Sequence, residues 1–151
     1  MSAQLKRDGL MDFERLPGFL GISHIALVVP DLEKAWEQFK FFGYLERGDG
    51  TVEVAEFGTQ ALVISNNDIT VELITPLNNP EESQYAEQLR QKRYCMDHIC
   101  YRVRDLDSAV AALRSKRFMT ISQPRISPVW GKRTLLLANR KMGTIELLEE
   151  D

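Results

Sequence analysis

Alternating apolar positions mark the first element. In ISHIALVV, residues 22–29, Ile25, Leu27 and Val29 fall on one face of a strand, and His24, Ala26 and Val28 on the other. Pro30 ends the run, and Asp31 is well suited to cap a helix. LEKAWEQFKFF follows at helical spacing, with Leu32, Ala35, Trp36 and Phe39 on one stripe and Gly43 as the stop. Three short strand patterns come next, TVEVAEF, QALVIS and ITVELIT. Gly58-Thr59 and Asn66-Asn67-Asp68 turn signals separate them. The order is β-α-β-β-β. EESQYAEQLRQK, residues 81–92, predicts a helical linker. The order then restarts with the strand DHICYRV, Asp105 as a cap, the helix LDSAVAALRSK, and strands at MTIS, KRTLLLAN and GTIELLEE. QPRISPVWG, with two prolines and a glycine, predicts a loop.

The restart keeps one register. His24 and His98 are 74 residues apart, and so are Glu72 and Glu146. At the same offset Ile25 matches Ile99, Val29 matches Val103, Asp31 matches Asp105, and Ala35 matches Ala109. A single offset from first strand to last signals an internal duplication. The chain then divides into an N-terminal extension, residues 1–20, and one domain, residues 21–151. Modules 21–80 and 94–151 make up that domain.

Each module places a histidine on its first strand and a glutamate on its last. By strand alternation His24 lies opposite the helix-packing face. Glu72 opposes Val71 and Leu73, and Glu146 opposes Ile145 and Leu147. A carboxylate inside an apolar strand is costly to bury unless it is paired or bound to metal. Two such carboxylates and two histidines on one sheet face suit a borderline divalent ion such as Zn, Mn, Co or Ni.

Composition narrows the partners. A net charge of −3, with 27% charged residues, gives no global attraction to nucleic acid or to an anionic membrane surface. No apolar run approaches the roughly 18 residues of a membrane span, and the N-terminus has no apolar signal core. Cys95 and Cys100 lack zinc-type spacing and are expected to be free thiols in a cytoplasmic protein. On the His98 face, Arg102 suits either a substrate carboxylate or a salt bridge. Cys100 suits an apolar filler better than a ligand. Trp130, Lys132 and Arg133 follow the proline loop, where solvent or an anionic substrate arm could meet them.

The β-α-β-β-β repeat with His24, Glu72, His98 and Glu146 resembles the vicinal oxygen chelate superfamily, which includes glyoxalase I and methylmalonyl-CoA epimerase. VELITPL, MDHICYRVRDLDSA and GTIELLEE are most similar to the epimerases. The resemblance spans about residues 21–149. It implies an α+β fold in which two tandem β-α-β-β-β modules form a half-open barrel around one divalent metal. The epimerase pattern also has a glutamate sixteen residues before the third-strand ligand, where this chain has Glu56 in EFGT. Where epimerases carry a glycine-rich lead and a double histidine at the start of the second module, this chain has RYCMDH, with Asp97 before His98.

The resemblance implies a metal-dependent epimerase or isomerase acting through an enolate on a small acyl-CoA-type substrate. His24, Glu72, His98 and Glu146 would hold the metal, and Glu56 and Glu146 would move protons. A glyoxalase I-like lyase uses the same four ligands and is the alternative. A dioxygenase of the same fold and a non-catalytic ligand-binding protein are further alternatives, opposed by the four intact ligands. The expected partner is a small molecule, with a homodimer allowed.

Overall fold

The computed structural model describes residues 14–78, 80–92 and 94–151. The first module contains β1 (Phe19–Val28), α1 (Leu32–Lys40), β2 (Leu45–Glu46), β3 (Val52–Val54), β4 (Thr59–Ser65) and β5 (Thr70–Pro76). A linker helix, α2 (Ala86–Lys92), leads to the second. That module contains β6 (Cys95–Val103), α3 (Leu106–Ser115), β7 (Met119–Thr120), β8 (Arg125–Ile126), β9 (Arg133–Asn139) and β10 (Gly143–Glu149). Asp31 and Asp105 cap α1 and α3 as expected, each carboxylate accepting a backbone N–H three residues on, from Lys34 at 3.0 Å and Ser108 at 2.8 Å.

The strands form one mixed sheet in the order β2-β4-β5-β1-β6-β10-β9-β7, with β3 beside β4 and β8 beside β9. Its two ends do not pair, so the sheet is not closed. The α+β architecture expected from the pattern is therefore present. The 74-residue offset is matched in the hydrogen-bond register. β1 and β6 meet antiparallel at the centre, with Ile25 opposite Ile99. β5 runs parallel to β1 with Glu72 opposite Ala26, and β10 runs parallel to β6 with Glu146 opposite Cys100. Ala26 and Cys100 are themselves 74 residues apart, so both glutamates occupy the same place in equivalent ladders.

The two sheet faces have different tasks. α1 packs Leu32 and the half-buried Trp36 and Phe39 on Val29, Leu62, Val71 and Leu73. α3 packs Leu106 and Ala109 on Val103, Leu135, Leu137, Ile145 and Leu147. Each leucine buried this way contributes about 1.5–3 kcal/mol. Strand alternation then sends His24, Ala26 and Val28 to the opposite face. There Ala26, Val28, Ala61 and Ile74 pack with Leu89 of α2.

Four boundaries differ from the pattern. β1 begins at Phe19, two residues inside the segment assigned to the extension, and Phe19 pairs with Val103. Residues 1–13 of that extension lie outside the described residues. At Gly21 (φ 119°) the β1–β6 register shifts, and Arg102 Nη2 lies 3.2 Å from where a Cβ would stand, donating 2.8 Å to the Leu20 carbonyl. TVEVAEF is a strand only through Val54. Ala55–Phe57 coil into a 3-10 turn that Gly58 closes in the left-handed region at φ 63°, so Glu56 stands on a turn. The linker divides into a 3-10 turn at Pro80–Glu82 and the shorter helix α2. The proline loop carries β8, with Arg125 opposite Thr134 of β9. Among the described residues no helix is long and apolar enough to cross a membrane.

Candidate metal centre

The four central strands bring His24, Glu72, His98 and Glu146 to one point. His24 Nε2 lies 3.2 Å from Glu72 Oε2 and 3.4 Å from Glu146 Oε1. His98 Nε2 lies 3.9 Å from the first oxygen and 3.7 Å from the second. All four side chains are buried, His24 completely. Both Nε2 atoms and Glu146 Oε1 are nonetheless without a well-aligned hydrogen bond. Buried polar atoms of native folds find partners in the great majority of cases. Here they face one another and Glu72 Oε2 across 3.2–3.9 Å, and no other donor or acceptor.

That arrangement fits a divalent ion. Metal–nitrogen and metal–oxygen bonds of about 2.0–2.2 Å place neighbouring ligand atoms roughly 3–3.5 Å apart, close to the separations seen. Two imidazoles and two carboxylates suit Zn, Mn, Co or Ni. The other ring nitrogens are already used. His24 Nδ1 is 2.9 Å from Ser23 Oγ, and His98 Nδ1 is 2.7 Å from Asp97 Oδ2. Such partners orient an imidazole so that its free nitrogen faces a ligand.

Electrostatics favour positive charge here, carried by the imidazoles themselves or by a bound cation. Burial disfavours the His98 imidazolium, but the Asp97 carboxylate, then Glu146 and Glu72, outweigh it and raise the His98 pKa to about 10. Burial likewise opposes a charged His24, and Glu146 and Glu72 raise it. Burial alone would raise Glu146. The two imidazoles overcome that and hold it at about 2. The pair of carboxylates thus demands positive charge at this point.

Trp130 packs on His24 at the edge of the centre. Its ring stacks on His24 with centroids 4.1 Å apart and an interplanar angle of 14°. The loop pattern hinted at an exposed or substrate-facing Trp130 and gave no sign of this contact. Cys100 is fully buried opposite His24, and burial with the Glu146 charge pushes its thiol pKa up, which keeps it neutral. Its sulfur nonetheless lies within 4.8 Å of ligand atoms of His24 and Glu146. Arg102 takes its salt-bridge alternative, 3.1 Å from Glu150. Lys132 pairs with Glu150, and Arg133 with Asp107 and Glu149.

A cavity of about 300 Å³ opens beside the centre, reaching Glu72, His98 and Glu146 and walled further by Tyr85, Asp97 and Arg125. Glu56 is not brought to the ligands. It stands outside this cavity, largely exposed, with Oε2 3.3 Å from Arg125 Nη1. Sequence patterning also missed Asp97 and Arg125. Asp97 could have been found as the acid adjoining a candidate ligand. Arg125 carried no signal, since only the fold of its loop turns it inward.

The fold is shared with known proteins, and several of them are similar in sequence. The mitochondrial methylmalonyl-CoA epimerase of Bos taurus is 30% identical over 117 residues, covering 77% of this chain and 65% of that protein. The Homo sapiens protein of the same name is 28% identical over 125 residues, covering 82% and 69%. The chain thus spans about two thirds of the length of these curated relatives. A crystal structure of methylmalonyl-CoA epimerase from Mycobacterium tuberculosis superposes with a TM-score of 0.76 at 20% identity, covering 94% of this chain and 95% of the other. A Streptomyces coelicolor methylmalonyl-CoA epimerase variant in complex with 2-nitronate-propionyl-CoA superposes at 0.74 with 22% identity, covering 87% and 98%. Residues 23–131, most of the chain, match the Glyoxalase/Bleomycin resistance protein/Dioxygenase superfamily model, and the chain belongs to that superfamily.

Proposed function

We propose that this protein is a divalent-metal-dependent epimerase acting on an acyl-CoA whose α-carbon bears an acidic proton, as in methylmalonyl-CoA. The observation that carries this reading is the buried convergence of two unpartnered imidazole nitrogens and two carboxylates beside a cavity. The epimerase relatives, and a related structure described as a complex with methylmalonyl-CoA, support the choice of substrate. His24 and Glu72 of one module and His98 and Glu146 of the other would hold the ion, which makes 21–80 and 94–151 one working domain. A divalent ion there supplies a Lewis acid that favours negative charge on substrate oxygens.

The chain's own residues do the rest. Ser23 and Asp97 orient the two imidazoles. Trp130 keeps water from His24. Glu146, which lines the cavity, and Glu56, which must turn in from its exposed pairing with Arg125 at the cavity wall, are the proposed acid–base pair. The α-C–H bond breaks, its proton passes to one carboxylate, and its electron pair spreads onto the thioester oxygen as an enolate. A proton returned to the opposite face inverts the centre. Cys95 and Cys100 form no disulfide, which suits a reducing compartment that we take to be the cytoplasm.

Deuterium wash-in tests this. Cobalt-loaded protein and methylmalonyl-CoA in D₂O should lose the α-proton signal, and chelator-treated protein should leave it intact. Glu56→Gln should keep the metal and lose most of the exchange. A metal-loaded wild type that exchanges nothing would discard the substrate and bring glyoxalase-type thiohemiacetals forward.

A further inference from the structure

The cavity beside the candidate metal centre has acidic walls. Glu72, Asp97 and Glu146 all line it. Among its described lining residues Arg125 is the one side chain with a permanent positive charge. β8 fixes its backbone against Thr134 of β9, and its guanidinium lies over the Phe57 ring with Cζ 4.4 Å from the centroid. A cation–π contact of this kind uses none of the guanidinium's N–H donors, which remain available to a carboxylate. One of them, Nη1, lies 3.3 Å from Glu56 Oε2. The two partners differ in setting. The Arg125 side chain is 19% exposed and the Glu56 side chain 59%. A pair with one arm in solvent is weak and screened, so a second carboxylate can replace it.

We infer that Arg125 anchors a free carboxylate on the acyl-CoA substrate, and that Glu56 is its resting counter-ion, displaced when that carboxylate arrives. This rests on the epimerase reading and narrows it to acyl thioesters that carry an acid group. It also gives Glu56 a substrate-dependent state. With a substrate carboxylate on Arg125, the Glu56 carboxylate is released to accept a proton. An acyl-CoA without the acid group leaves the Arg125–Glu56 pair closed.

The first arm of the test uses methylmalonate as the probe, titrated by calorimetry into chelator-stripped protein so that ion chelation contributes nothing. Arg125→Gln should weaken binding about tenfold or more, the loss expected for a charge-assisted contact. Arg125→Lys, which keeps the charge and loses the fork, should fall between and separates loss of contact from misfolding. Glu56→Gln should tighten binding severalfold, because the competitor is gone; a merely structural Glu56 would not act in that direction. Equal affinity in wild type and Arg125→Gln, weaker binding in Glu56→Gln, or no binding to wild type would each overturn the inference. The second arm is α-proton exchange on methylmalonyl-CoA. If Arg125→Gln exchanges with unchanged KM, the Arg125 inference falls and the epimerase reading stands. If the anion arm behaves as expected while loaded wild type exchanges nothing, the epimerase reading falls and Arg125 stands as an anion anchor.

Discussion

Metal loading should stabilise this fold by a predictable amount. The ligands come in pairs from β1 and β5 and from β6 and β10, and equivalent ligands are 74 residues apart in the chain. Unfolding therefore disperses them, and the ion binds the folded state far better than the unfolded one. At free metal about a hundredfold above Kd the gain is about 2.7 kcal/mol. A chain of this length gains roughly 2–4 °C in Tm per kcal/mol, so the rise should be about 5–11 °C. His98→Ala removes one of the four ligands. If that raises Kd about a hundredfold, the gain at the same metal concentration drops to about 0.4 kcal/mol, or roughly 1–2 °C. The assay is scanning calorimetry on chelator-stripped protein with Co, Mn, Zn or Ni added in turn. Glu53→Gln, which alters an exposed carboxylate on β3, is the control and should shift like wild type. No rise with any of the four ions, or an undiminished rise in His98→Ala, would refute the metal assignment.

Other outcomes follow from the same geometry. Leu73→Ala and Leu137→Ala each empty a fully buried site beneath a helix, in the clusters under α1 and α3 respectively, and both should cost about 2–5 kcal/mol in urea unfolding; a negligible cost at either would count against its place in that core. The backbone N–H and hydroxyl of Ser108 hold the Asp105 carboxyl below its usual range. Its contribution should be fully present above the unfolded value near 4 and fade as pH falls through the lower folded value. Asp105→Asn should accordingly flatten the acid limb of the stability curve, as read from melts between about pH 2 and 6. Trp130→Ala removes the ring stacked on His24 and should weaken cobalt binding measured by equilibrium dialysis, with Trp130→Phe retaining most of it. Equal weakening by both variants would mean that stacking is not what positions His24.

Local patterning and one repeated offset were enough to reveal the order of helices and strands, both helix caps and the four converging residues. Those features depend on strand alternation and on a duplication that preserves register, and both are written in residue order. His24 and His98 had to share a face because each holds the equivalent position of an equivalent strand. Glu72 and Glu146 had to join them because each breaks an equivalent apolar run. What lay beyond reach were contacts made by side chains that no period governs. Glu56 continued a strand-like pattern, yet Gly58 in the left-handed region coils the chain there and moves the carboxylate to Arg125. Trp130 and Arg125 belong to a loop whose prolines mark irregularity without direction. Arg125 lines the cavity from β8, paired with β9, and Trp130 stacks on His24 from a turn whose backbone N–H groups donate to Ser127 Oγ. Periodicity tells which face a residue occupies within its own element, whereas the partners of a loop side chain are set by distant elements closing in three dimensions.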